Sequence, residues 1–215
     1  MNNNNALQPT WLIFALSVLI CRNIMGADLA NSETEIHLES AGTQVDAITK
    51  QINLPMVRIW QAGYEIQAEL GQAKGLNFDN SQWSFSGKVH ITTPQGRLTA
   101  DRATVTFQQH RITELHINGQ PATFEQLSAT NQTLVQGRAE SIDYLVQGNN
   151  IRLSNKAWVK YGQNEFSGRT VVYDLTHQRV LANPEEQQGE KVHIIITPNS
   201  SFGQENSSSS GIKSP

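Results

Sequence analysis

Alternation of apolar and polar residues with a period of two recurs along this chain, at VRI (57–59), FSGKVHI (85–91), ATVTF (103–107), AWVKY (157–161), TVVYDL (170–175) and VHIII (192–196). That period places successive side chains on opposite faces of an extended backbone, so each segment is predicted to be a β-strand. Pro94-Gln95-Gly96, Asn118-Gly119, Gly148-Asn149-Asn150 and Asn183-Pro184 supply turn signals at short intervals between them. The best helical stretch, Glu69 to Lys74, is short and interrupted by Gly71, so helix is expected to be a minor component.

The pattern also repeats. Shifted by 68 positions, SFSGKVHITTPQGRLTADRATVTFQQHRI (84–112) lies on RLSNKAWVKYGQNEFSGRTVVYDLTHQRV (152–180) without a gap, with identities at Ser86/Ser154, Lys88/Lys156, Gln95/Gln163 and Arg111/Arg179. A shorter unit recurs in LTADRATVTF (98–107), VQGRAESIDY (135–144) and FSGRTVVYDL (166–175). A weaker copy aligns Val57, Ile59, Ile66 and Ala68 with Val89, Ile91, Leu98 and Ala100. The chain therefore reads as a repeat array. Inside the short unit the apolar parity slips: Leu98 and Ala100 share one parity, Val105 and Phe107 the other. One extra residue is needed between the halves if all are to face inward, which a bulge or corner provides. Two sheet faces joined by repeated corners around an apolar interior are expected.

The ends of the chain carry different patterns. A polar start precedes the apolar run Trp11 to Cys21, and Met25-Gly26-Ala27 follows. Residues 1–27 are read as a signal peptide cleaved after Ala27; an uncleaved anchor is the alternative, although the run is well short of the roughly 20 residues a spanning helix needs. Cys21 is the sole cysteine and would leave with the signal, so no disulfide is expected in the exported chain. Residues 199–215, rich in Ser and Asn, lack an apolar pattern and are expected to form a disordered polar tail. This leaves 33–198 as a single folded β-repeat domain.

Charge narrows the function. The net charge is −3, and −4 once Arg22 is lost, so nucleic acid is not expected as a partner. The six histidines, His37, His90, His110, His116, His177 and His193, form no close-spaced metal signature, and no nucleophile elbow or phosphate loop occurs. Neither enzymatic activity, a metal nor a cofactor is expected. Trp60, Trp83 and Trp158 could serve as groove aromatics, glycan platforms or plain packing.

IHLES (36–40), FSGKV (85–89), GQPATF (119–124), the stretch from VQGRAESIDY to WVKYGQNEFSGRTVVYDL (135–175) and KVHIIITPNS (191–200) together, and in this order, resemble the OstA-like proteins of lipopolysaccharide transport. The resemblance implies an all-β fold, a twisted jelly roll of antiparallel strands, V-shaped in section with an apolar groove for acyl chains. It also implies a periplasmic bridge with lipopolysaccharide as cargo, an inner-membrane LptC-like protein and an outer-membrane LptD-like translocon as partners, and head-to-tail self-association. A membrane-anchored LptC-like relative is the nearest alternative within the family. The chain departs from the family pattern between about residues 52 and 84, where an extra repeat would lengthen the groove. Matching motifs nominate Ile36, Leu38, Phe124, Tyr144 and Val146 for lipid contact, against the plainer reading that each is a core residue. A secreted β-repeat adhesin or carbohydrate-binding module is the competing class; it would need clustered aromatics with polar groups, whereas Ile36, Leu38, Ile142 and Val146 suit a dry acyl groove.

Overall fold

The computed structural model describes residues 35–128, 132–184 and 190–198; the proposed signal peptide and polar tail lie outside them. Twelve strands occur among these residues: β1 (His37–Glu39), β2 (Gln44–Val45), β3 (Gln51–Gln61), β4 (Tyr64–Lys74), β5 (Asn80–Thr93), β6 (Gly96–Gln108), β7 (Arg111–Leu127), β8 (Leu134–Leu145), β9 (Asn150–Tyr161), β10 (Asn164–Asp174), β11 (Arg179–Ala182) and β12 (His193–Ile195). They form one sheet in which β3 to β10 run as an antiparallel meander. Short strands finish each edge: β1 and β2 pair with β3, while β11 and β12 pair with β10. The all-β, antiparallel expectation holds.

Every long strand changes its pattern near its middle. Register shifts fall between Gln67 and Leu70, Ser86 and Val89, Thr99 and Arg102, Asn118 and Ala122, Arg138 and Ser141, and Gly168 and Thr170. In β6 the inward residues run Leu98, then Ala103, Val105 and Phe107; in β8 they run Val135, Ala139, then Ile142 and Tyr144. This is the parity slip expected from the sequence. Because the shifts line up from strand to strand, the sheet folds along a common line into two facing layers. The first layer contains 57–61, 89–93, 96–100, 122–127, 134–139, 157–161 and 164–168. The second contains 51–54, 80–86, 102–108, 111–118, 141–145, 150–154 and 170–174.

β5 and β9 turn the same corner differently. Gly87 and Lys88 have φ of 78° and 46°, and their counterparts 68 residues on, Asn155 and Lys156, have φ of 62° and 56°. Two consecutive left-handed residues reverse the pleat twice, so Phe85 and Val89, like Leu153 and Ala157, stay buried on the same parity. Each of the paired lysines also meets a glutamate of the preceding strand, Lys88 with Glu69 at 2.8 Å and Lys156 with Glu140 at 2.5 Å. The 68-residue repeat is thus present in backbone conformation as well as in side chains.

Two local expectations are corrected. Glu69–Lys74 is not helical but lies in β4, where Ala68 and Ala73 are buried and Gly71 faces Val57 so closely that a Cβ would stand 3.0 Å from its Cγ1. Burial against the facing layer overrides the weak helical propensity of this short segment. Asn118-Gly119 does not separate two strands; it lies inside β7 at the corner, where the sheet bends without reversing.

One apolar core runs between the layers, from Ile52, Val57 and Ile59 through Leu98, Leu115 and Phe124 to Val159, Val171 and Tyr173. Contacts cross between layers: the Phe124 and Tyr173 rings are 6.3 Å apart, as are those of Tyr161 and Tyr173. Burial of this surface is the main stabilising term.

Candidate functional site

The candidate residues all touch the apolar interior but do not form one cluster. Phe124 projects from the first-layer part of β7 and is 2% exposed; Tyr144 projects from the second-layer part of β8 and is 1% exposed. Ile36, Leu38 and Val146 are half-buried and pack against the same core. Leu38 sits on β1 opposite Ile59 of β3, at the N-terminal edge. Five strand-to-strand steps separate β1 from β7, roughly 24 Å at the usual spacing. The five residues therefore sample one long interior at its edge and near its centre.

This interior is filled by the chain's own side chains. Phe124 lies against Tyr173 and approaches Gly96 and Gly137, and a Cβ on Gly137 would meet Leu153 Cδ2 across the layers at 2.7 Å. Only a residue without a side chain allows that approach. The Tyr144 hydroxyl donates to Gln95 Oε1 at 2.9 Å. Burial, with Tyr64 close by, pushes the Tyr144 phenol well above its ordinary value. Burial likewise pushes Tyr173 up to about 12, and its hydroxyl has no hydrogen-bond partner among the described residues. Both rings are therefore neutral at physiological pH, as an apolar interior requires.

Val135, Leu153, Leu98 and Tyr173 line the same space and were not among the residues nominated for lipid contact. Their inward parity was readable, but the partner each would face across the layers was not.

The tryptophans divide by position. Trp83 is buried and stacks on Phe78 with ring centroids 4.6 Å apart, near Phe107. Trp60 carries the Arg58 guanidinium at 4.6 Å and His37 at 5.0 Å, while Trp158 carries Arg138 at 4.2 Å and donates to Glu165. Trp83 is packing, and the other two are covered by charged or polar neighbours on the outer face. They do not converge on a common platform of the kind a glycan site needs. A pocket of about 370 Å³ along the outside of the corner is lined by Arg138, Glu140, Lys156 and Gln120-Pro121. Ala139 of the apolar core also lines it, while its other lining residues are polar or lie at the corner. His116 is paired with Asp143, and His177 with Asp174 at 2.8 Å, also on the outside.

The outermost strands β1 and β12 differ in character, although Val45 of β2 and Met56 of β3 also expose apolar side chains at the N-terminal edge. Glu35, His37 and Glu39 are exposed around β1, whereas Val192, Ile194, Ile195 and Ile196 are exposed around β12, Ile196 at 72%. The C-terminal edge thus presents the apolar strand that the sequence suggested.

Comparison with known proteins adds the decisive observation. The family model described as LptA/(LptD N-terminal domain) LPS transport protein matches residues 65–179, from β4 to the first residue of β11. The chain belongs to this family. Within curated relatives, the lipopolysaccharide export system protein LptH of Pseudomonas aeruginosa is 29% identical over 126 residues, covering 56% of this chain and 70% of that protein. A crystal structure of LptH, the LptA-homologous periplasmic component of the conserved lipopolysaccharide transport device of the same organism, aligns with 78% of this chain and 99% of that one. The identity is 20% and the TM-score 0.49. The family match covers the corners of β4 to β10 and both of the most buried candidate residues, Phe124 and Tyr144; β1, with Leu38, precedes it.

Proposed function

We propose that this protein is a periplasmic carrier that holds the acyl chains of lipopolysaccharide between its two layers and passes them from the inner-membrane complex toward the outer membrane. The family match over the repeat region carries this reading. The continuous apolar interior is the physical feature that fits it, because acyl chains gain by leaving water and ask for no polar partners. The likeness to LptH supports the periplasmic setting and the lipopolysaccharide cargo.

On this reading Ile36 and Leu38 meet the lipid at the N-terminal edge, and Phe124, Tyr144 and Val146 meet it further along. An LptC-like protein at one edge and an LptD-like translocon at the other would join by adding strands to β1/β2 or β11/β12, whose outer backbone groups are open to pairing. The exposed apolar β12 is the stronger candidate for self-association, head to tail with β1 of a second copy.

The test is photo-crosslinking in living cells with a photoreactive phenylalanine analogue at Tyr144, and at Thr106 on the outer side of β6. Covalent lipopolysaccharide from Tyr144 but not from Thr106 is expected. Equal yields at both positions would refute an interior path.

A further inference from the structure

Each long strand runs from a turn in the first layer, through the corner, to a turn in the second layer. The first-layer strand ends and turns include 62–63, 94–95, Ser128 and 162–163; the turns of the second layer are at 75–79, 109–110, 146–149 and 175–178. The two sets form the side of the molecule opposite the corner, the only long side where the layers are not covalently continuous. Among the described residues, three side-chain bridges cross it. Gln61 Nε2 donates to the His110 carbonyl at 2.6 Å, the Tyr144 hydroxyl to Gln95 Oε1 at 2.9 Å, and Gln178 Nε2 to Ser128 Oγ at 2.7 Å. Tyr161 adds a bond from its hydroxyl to Gln178 Oε1 at 3.2 Å.

The three crossings are copies of one device. Their partners are separated by 49, 49 and 50 residues. Each joins a first-layer strand end or turn to a second-layer strand end or turn about three strands further on: β3 to the β6–β7 turn, the β5–β6 turn to β8, and the residue after β7 to the β10–β11 turn. Three strands are roughly 14 Å, and a constant diagonal offset of this kind is what two twisted facing layers produce. The buried polar residues Gln61, Thr93, Ser128 and Asn164 fall one at each first-layer turn, so a polar line follows the whole edge of an otherwise apolar interior.

Resting on the carrier reading above, we propose that these crossings are lateral clasps: lipid chains enter and leave sideways, between the layers, where the clasps open while the corner acts as the hinge. The chemistry suits a gate. All three crossings are neutral hydrogen bonds, each of modest net worth although Gln61, Tyr144 and Ser128 are buried in the closed form. By contrast the corner carries ion pairs, at Lys88–Glu69 and Lys156–Glu140, and left-handed residues that bend the backbone where the layers must flex. Since the clasps are separate, one repeat can open while its neighbours stay shut.

The experiment is stopped-flow binding of BODIPY-labelled lipopolysaccharide to the full chain and to the variants Gln95→Met and Gln61→Met, with Thr106→Ala as an outer-face control. Gln95→Met leaves the Tyr144 ring in the core and removes the acceptor of its crossing bond. Loss of one neutral hydrogen bond should raise the open population, and with it the association rate, about fivefold. Dissociation should rise by a similar factor, leaving Kd within about twofold, because the clasp re-forms over bound lipid. Thr106→Ala should change neither rate. Unchanged rates in both clasp variants, or a weaker Kd at an unchanged association rate, would overturn the clasp proposal while leaving the carrier reading intact. No binding by the unaltered chain would overturn the carrier reading and the clasps with it.

Discussion

Replacing Phe124 by alanine tests whether the interior is at once the protein's core and its lipid site. Phe124 is 2% exposed and is held between Tyr173 across the layers and the two glycines Gly96 and Gly137 beside it. Truncation removes the ring's transfer free energy and leaves a cavity that these neighbours close only in part, since the opposing backbone is fixed by both layers. Buried Phe→Ala changes cost about 3–5 kcal/mol. Against a total stability of about 5–15 kcal/mol the variant stays folded under native conditions only if the chain lies away from the low end. For a domain of this size each kcal/mol lowers Tm by about 2–4 °C, so a fall of roughly 6–20 °C is expected. Urea unfolding by tryptophan fluorescence measures the change in midpoint, with Thr106→Ala, on the half-buried outer side, expected within about 0.5 kcal/mol of the parent. The second arm adds lipid: a chain that fills the new cavity should raise Tm more in Phe124→Ala than in the parent, because ligand stabilisation follows its affinity for the folded state. A loss below about 1 kcal/mol, or lipid stabilisation that is smaller in the variant, would refute the view that side chains and lipid occupy the same space.

Further outcomes are expected elsewhere. Gly137→Ala would place a Cβ 2.7 Å from Leu153 Cδ2, and overpacking of this kind should cost about 1–3 kcal/mol in the urea midpoint, with little change in secondary structure by circular dichroism. Ile194→Lys on β12 should abolish concentration-dependent association in analytical ultracentrifugation without altering monomer stability, since this strand is exposed and an edge charge opposes strand pairing. Asp174 is held below its ordinary carboxylate value by the His177 backbone N–H first, then the His177 ring and the Thr176 N–H. Its contribution is therefore complete above the unfolded value of about 3.9 and is lost as pH falls through the lower folded value; Asp174→Asn should flatten the decline in urea midpoint between pH 5 and pH 2.

Strand content, repeat length and inward parity could be read directly from the chain because they are local. Side chains alternate at every second residue, and Leu98, Val105, Ile142 and Tyr144 declare their faces by spacing alone. The same counting located the corners of β6, β8 and β10, where one extra residue changes the parity. It was blind to the corners of β5 and β9, where Gly87-Lys88 and Asn155-Lys156 reverse the pleat twice and leave the alternation of FSGKVHI intact. It also misjudged Glu69–Lys74, whose conformation is set by close approach of Val57 to Gly71 rather than by propensity. Lipid contacts at Phe124 and Tyr144 were nominated from motif resemblance, and their burial is a property of both layers together. The clasps needed the tertiary structure entirely. Gln61 and His110, Gln95 and Tyr144, or Ser128 and Gln178 meet only because two twisted layers face each other with a diagonal offset of about three strands. A linear pattern specifies which face a residue occupies, whereas the pairing of residues some fifty positions apart depends on how the faces are folded together.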